Sequence, residues 1–188
     1  MAFSASNTGF LFVFAYGLQR DMGYSALQTG LLHIPFSIGV MIGMAFLGRR
    51  YLARYGRGVV IAGAIAMAVG VSGVLAWMDM GSHSVAILPA LLLAGAGMGL
   101  ISGPVGSIVV ARVTREEAGS ASGMLKTVQQ MGGALGVALG GSAYFPFEGR
   151  HLGAIASLTV VVTLLLACIA LASRLPRDIF DRPVDRPT

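Results

Sequence analysis

Gly132-Gly133-Ala134-Leu135-Gly136-Val137-Ala138-Leu139-Gly140-Gly141, entered directly from Gln129-Gln130-Met131, is the stretch whose reading decides the fold. Gly132, Gly136 and Gly140 recur every four residues, so on an α-helix they line one face with no side chain. In water such a helix is poor, because each interior Gly costs about 1 kcal/mol against Ala. In a bilayer, where packing rather than hydrophobicity drives helix association, a bare stripe lets a second backbone approach closely. Spacing alone leaves two readings: a static packing seam, or a surface that moves against a partner.

The composition around this stretch selects the bilayer. The chain is 55% hydrophobic and 11% charged, against roughly 25% charged residues in a soluble domain. Twenty-seven glycines fit the same class, since Gly is commoner in membrane helices. The net charge of +5 comes from cations placed between apolar runs. With no basic stripe interleaved with aromatics, it reads as membrane topology and excludes nucleic acid as a partner. The single cysteine, Cys168, lies inside an apolar run and has no intrachain disulfide partner. The first charge is Arg20, so the N-terminus lacks the basic start of a cleaved signal peptide.

A membrane-spanning helix takes about 20 apolar residues. Stretches at about 3–19, 26–47, 59–78, 85–110, 119–144 and 152–172 qualify. The expectation is an all-α integral membrane protein: a six-helix transmembrane domain over 1–173 and a disordered, Pro-rich cytoplasmic tail over 174–188. The first run is short, as if upstream residues were missing. Pro35 and Pro104 fall within the second and fourth runs, which membrane helices tolerate where neighbours satisfy the freed carbonyls. Arg49, Arg50, Arg54 and Arg57, then Arg112 and Arg115, then Arg174, Arg177, Arg182 and Arg186 fall on one side of a six-span arrangement; only Arg20 and Arg150 fall on the other. The positive-inside rule then puts both termini in the cytoplasm of a cell-membrane protein.

No enzyme signature is present. The Gly95-x-Gly97-x-Gly99 spacing lies inside an apolar run with no preceding strand, so it is not a nucleotide loop. The chain is read as a non-enzyme with no cofactor and no metal. Polar groups inside apolar runs are therefore the places to look. His33 is either a protonation site or a hydrogen-bonding link to a neighbouring helix. Lys126 lies about 10 Å into its span, where it either snorkels to the surface or acts within the membrane. Gln129 and Gln130 either link helices or contact a ligand. Asn7, Phe10 and Phe14 recur at helical spacing, with Tyr16 and Gln19 beyond them; the stripe is either packing or the wall of a site for a flat hydrophobic ligand. Gly95, Gly99, Gly103 and Pro104 predict a bend with close packing. No Asp or Glu lies deep in a span, so a titratable coupling group would have to be His33, Lys126 or outside this chain.

Three stretches resemble the C-terminal half of the major facilitator superfamily, in particular its fourteen-span drug:proton antiporters. One is Gly23-Tyr24-Ser25-Ala26-Leu27-Gln28-Thr29-Gly30-Leu31-Leu32 with Pro35. Another is Leu52-Ala53-Arg54-Tyr55-Gly56-Arg57, similar to the family's Asp-Arg-x-Gly-Arg loop. The third is Ala118-Gly119-Ser120-Ala121-Ser122-Gly123 with Thr127, Gln130 and the glycine stretch itself. Ala53 stands where the family has Asp, Gln129 where the branch often has Arg, and Lys126 where it often has Asn. The resemblance implies proton-coupled efflux of lipophilic small molecules by alternating access, with a missing N-terminal half of six to eight spans as partner and with coupling acids in that half. It also implies that the first and fourth spans line the cavity, which makes Asn7, Phe10, Phe14, Met98 and Ser102 cavity candidates. Arg54, Gly56, Arg57, Gly99, Gly103, Pro104, Gly132, Gly136 and Gly140 become conformational or packing candidates. Because the fifth span slides against the other half in this family, the resemblance prefers the moving-contact reading of the glycine stripe, with a partner surface outside the chain. The competing expectation is a six-span protein that does not transport and serves as an assembly partner or remnant.

Overall fold

The computed structural model describes residues 1–48, 57–80, 85–111, 114, 117–147 and 151–174, and every regular element among them is helical. In chain order these are α1 (Ala2–Arg20), α2 (Ala26–Leu32), α3 (Ile34–Ile42) running into a π-helical turn (Gly43–Gly48), α4 (Arg57–Asp79), α5 (Ile87–Ala111), α6 (Ala118–Tyr144) ending in a 3-10 turn (Phe145–Phe147), and α7 (His151–Arg174). Three helical stretches, Ala26–Ala45, Gly58–Met78 and Leu152–Leu171, are long and apolar enough to cross a membrane, and Ile87–Gly103 is a shorter apolar helix. The architecture is that of an all-α, multi-pass membrane protein. Arg54, Gly56 and the tail from residue 175 lie outside the described residues. Arg57 opens α4, but its side chain is outside them as well.

Local sequence explains the breaks. After α1 the chain turns at Gly23, whose φ of 72° suits a residue without Cβ. α2 then starts on a reciprocal cap. The Gln28 backbone N–H donates to Ser25 Oγ at 3.2 Å, and the Ser25 N–H donates to Gln28 Oε1 at 2.9 Å. The expected single helix over 26–47 is interrupted at His33, which ends α2 and begins α3. Pro35 follows in the first turn of α3, where a missing N–H is least costly. By contrast α5 continues as α-helix through Pro104.

Packing runs along glycine seams. A Cβ on Gly136 would overlap the Ala5 carbonyl, one on Gly132 would lie 2.6 Å from the Met1 oxygen, and one on Gly9 would lie 2.9 Å from the Gly136 oxygen. The α1–α6 backbones are thus in direct contact. A second seam repeats the arrangement: side chains at Gly39 and Gly43 would overlap the Leu92 and Ala96 carbonyls of α5, and side chains at Gly95 and Gly99 would overlap those of Phe36 and Val40. The same four-residue step thus joins α1 to α6 and α3 to α5. Gly103 has more room, its nearest neighbour being Met44 Cγ at 3.5 Å. The seam overturns the expectation that the Gly132–Gly140 stripe faces a surface outside the chain. Its partner is α1, because only a bare face allows two backbones this close. Between the seams, α4 and α7 contribute Met67, Val71, Val74, Leu158, Val161 and Leu165 to one buried core with Phe10 and Phe14. The buried Ser157 hydroxyl donates to the Gly140 carbonyl at 2.7 Å, tying α7 to α6.

Candidate functional site

α1 carries two kinds of aromatic face, and the structure decides which is open. Phe10 and Phe14 are fully buried. Their rings lie 5.7 Å apart, Phe10 meets Phe36 at 5.8 Å, and His33 sits 5.6 Å from Phe14 and 5.0 Å from Phe36. The cluster joins α1 to the α2–α3 break. Phe10 and Phe14 are core residues in this chain and not a cavity wall, a correction set by the rotation of α1 on its neighbours. Asn7 is half-buried, and its Oδ1 is buried without a hydrogen-bond partner. Met98 packs against the same core, and the Ser102 hydroxyl donates to the Met98 carbonyl at 2.9 Å within its own helix.

The open face lies on the other side of α1, toward its C-terminal end. Phe12, Ala15, Tyr16, Gln19 and Arg20 line an open groove of about 340 Å³. On an ideal helix these positions share one side. Phe12 and Tyr16 stack at 5.8 Å with 24° between planes. Tyr16 stands edge-on to Tyr144 at 5.2 Å and to Phe145 at 5.8 Å. Room for this cluster comes from Gly141, where a Cβ would lie 3.2 Å from Phe145 Cε2 and 3.7 Å from Phe12 Cε1. Tyr144 is fully buried, and its hydroxyl donates to Asp21 Oδ2, which fixes the ring that supports Tyr16. At the rim, Gln19 Nε2 donates to the Ala15 carbonyl at 3.1 Å. That leaves the amide oxygen as acceptor, beside the exposed Arg20. Sequence spacing marked Tyr16 and Gln19 as the outer end of the stripe but missed Phe12, Ala15 and Arg20 as its open side; the aromatic i, i+4 pair at Phe12 and Tyr16 was the available signal.

The remaining polar candidates are not gathered into this groove. His33 lies in the aromatic cluster just described. Lys126 and Gln130 are exposed on α6 and Gln129 is half-buried, in the part of α6 that precedes the glycine seam. Side chains at Gly119 and Gly123 would meet open space there. Pro104 falls within α5, but its side chain is outside the described residues.

Comparison with known proteins places these features. A family model described as Major Facilitator Superfamily matches residues 1–137. The chain is 32% identical over 154 residues to the "Probable actinorhodin transporter" of Streptomyces coelicolor, covering 80% of this chain and 27% of that protein. It is 35% identical over 133 residues to the puromycin resistance protein pur8 of Streptomyces alboniger, covering 69% and 26%. It is 31% identical over 129 residues to the quinolone resistance protein NorB of Staphylococcus aureus, covering 68% and 28%. The matched region thus spans little more than a quarter of each of these relatives.

Proposed function

Because this chain belongs to the major facilitator superfamily, we propose that it is the C-terminal half of an exporter of lipophilic small molecules, driven by a proton gradient. In this reading α1, the α2–α3–π unit, α4, α5, α6 and α7 are six membrane spans with both termini in the cytoplasm of the cell membrane. The partner is a further half of six to eight spans. The observation that carries the reading is the open aromatic groove on α1, in a family whose first span of each half borders the ligand path. The resistance and transporter names of its relatives support export of small molecules. The glycine seams pack each helix pair backbone to backbone, which suits a half that rocks as one body in alternating access. His33, Lys126, Gln129 and Gln130 remain its intramembrane polar candidates, and Asn7, Met98 and Ser102 its candidates nearer the midplane.

The test is reconstitution of this chain, with and without a co-expressed N-terminal half, into vesicles carrying an imposed pH gradient and loaded with a fluorescent lipophilic compound. Gradient-dependent export that needs both halves is expected. Absence of export in every combination, with both chains inserted, sinks the transport reading and leaves the assembly-partner alternative.

A further inference from the structure

The first half of α6 is polar where a membrane helix is normally apolar. Although α6 runs for 27 residues, it is not among the described helices apolar enough by composition to cross a membrane. Ser120, Ser122, Lys126, Thr127 and Gln130 are all exposed on it. A face with this many polar groups is costly against lipid and belongs against water or a ligand. Its hydroxyls are already engaged: Ser120, Ser122 and Thr127 donate to the Glu117, Gly119 and Gly123 carbonyls of the same helix at 2.9, 2.9 and 3.0 Å. Lys126 and Gln130 differ. Among the described residues neither side chain makes a hydrogen bond or an ion pair.

These two donors are one turn apart, so they are neighbours on the helix surface. At 100° per residue Gly119, Gly123, Lys126 and Gln130 fall within about 60° of one another. A side chain at either glycine would meet open space, so the ammonium and the amide stand on a bare surface. Lys126 is also without a counter-ion on its own element. It is the only charged residue within α6 and the only lysine in the chain. Glu117, at the start of the helix, is about 13 Å of helical rise away, and its Oε2 accepts the Thr114 hydroxyl at 3.1 Å.

We propose that Lys126 and Gln130 form a binding site for lipophilic carboxylates. One carboxylate oxygen meets the Lys126 ammonium, the other accepts from Gln130 Nε2, and the apolar body lies over the bare surface at Gly123. A cation of the same shape meets Lys126 as a like charge. A phospholipid phosphate fits less well: at the start of α6 it meets Glu117, and Gln130 lies a turn deeper than Lys126. The assignment rests on the small-molecule export reading and narrows it to a substrate class and to one wall of its path.

The experiment uses the 188-residue chain in phosphatidylcholine nanodiscs, labelled with carbon-13 lysine so that Lys126 alone gives the lysine signal. Equilibrium dialysis against 2-naphthoate and, separately, 2-naphthylmethylammonium is corrected with empty nanodiscs. Saturable naphthoate binding that shifts the Lys126 signal is expected. It should be at least tenfold weaker in Lys126→Met, weaker in Gln130→Leu, and retained in Lys126→Arg. The ammonium probe should bind at least tenfold more weakly than naphthoate. Thermal unfolding of the variants should match the parent chain, since both positions are exposed; should Lys126→Met unfold early, Lys126→Gln replaces it with the same loss expected. Naphthoate uptake equal to that of empty nanodiscs overturns the proposal, as does equal binding by the parent chain and the Lys126 variant or by the two probes. Displacement of naphthoate by added phosphatidylglycerol also overturns it, by assigning Lys126 to an anionic lipid. The two readings fail separately: Lys126-dependent binding without export by the two-half transporter supports the site and sinks transport, whereas export without Lys126-dependent binding does the reverse.

Discussion

Gly136 has no space for even one methyl group, because the Ala5 carbonyl occupies the position its Cβ would take. The moving-contact reading of this stripe predicts that Gly136→Leu inserts normally and only blocks transport. The seam predicts instead that the half itself is destabilised. Overpacking costs about 1–3 kcal/mol and occasionally more, and here the obstacle is backbone, which cannot swing aside. Gly136→Leu should therefore lower the thermal unfolding temperature of the chain in micelles, followed by circular dichroism. Gly123→Leu, which meets open space, should leave it unchanged. Equal behaviour of the two variants would remove the seam as a stabilising feature. Tyr144 gives a second test at this scale. Removing its hydroxyl in Tyr144→Phe deprives the Asp21 carboxylate of a buried donor, and hydrogen bonds to charged groups contribute about 1.5–3 kcal/mol. Denaturant unfolding near pH 7 should register a loss of that order, and a loss below about 0.5 kcal/mol would show that water replaces the hydroxyl.

Helix pairing belongs to the next scale. The joint between α6 and α7 combines Gly140 with the buried Ser157 hydroxyl. Interhelical hydrogen bonds in membranes average about 0.6 kcal/mol and reach about 1.7. Ser157→Ala should thus destabilise mildly, within that range. Ser157→Leu should act more strongly, since Ser157 is fully buried and overpacking a core costs about 1–3 kcal/mol. A steric-trap or denaturant series on the two variants separates the hydrogen bond from the fit. Much at this scale was legible in the sequence. The apolar runs marked where helices lie, and the four-residue glycine step marked a face of close approach. The break at His33 was not legible as such, because Pro35 points to a disturbance without saying whether the turn before it opens or holds. The two glycine runs were each visible, but neither says which helix it meets.

For the whole molecule the testable property is orientation. On a Cys168→Ala background, Leu27→Cys should react with a membrane-impermeant maleimide added to intact cells, and Thr114→Cys should react only after permeabilisation. Both positions are exposed and lie at opposite ends of the proposed spans. The reverse pattern would invert the topology and move the Arg20 groove to the cytoplasmic face. Composition and spacing by themselves determined that this chain is helical and lives in a bilayer, and which family it resembles. Those are local constraints: backbone polar groups in lipid must be satisfied within each helix, and the thickness of the hydrocarbon core sets the length of each apolar run. Only the tertiary structure decided that Phe10 and Phe14 face the core while Phe12 and Tyr16 face the groove, and that the Gly132–Gly140 stripe closes on α1 rather than waiting for a partner. In a chain this apolar most faces of a helix look alike in sequence. The rotation of each helix about its axis is then set by which bare faces and bulky rings fit one another.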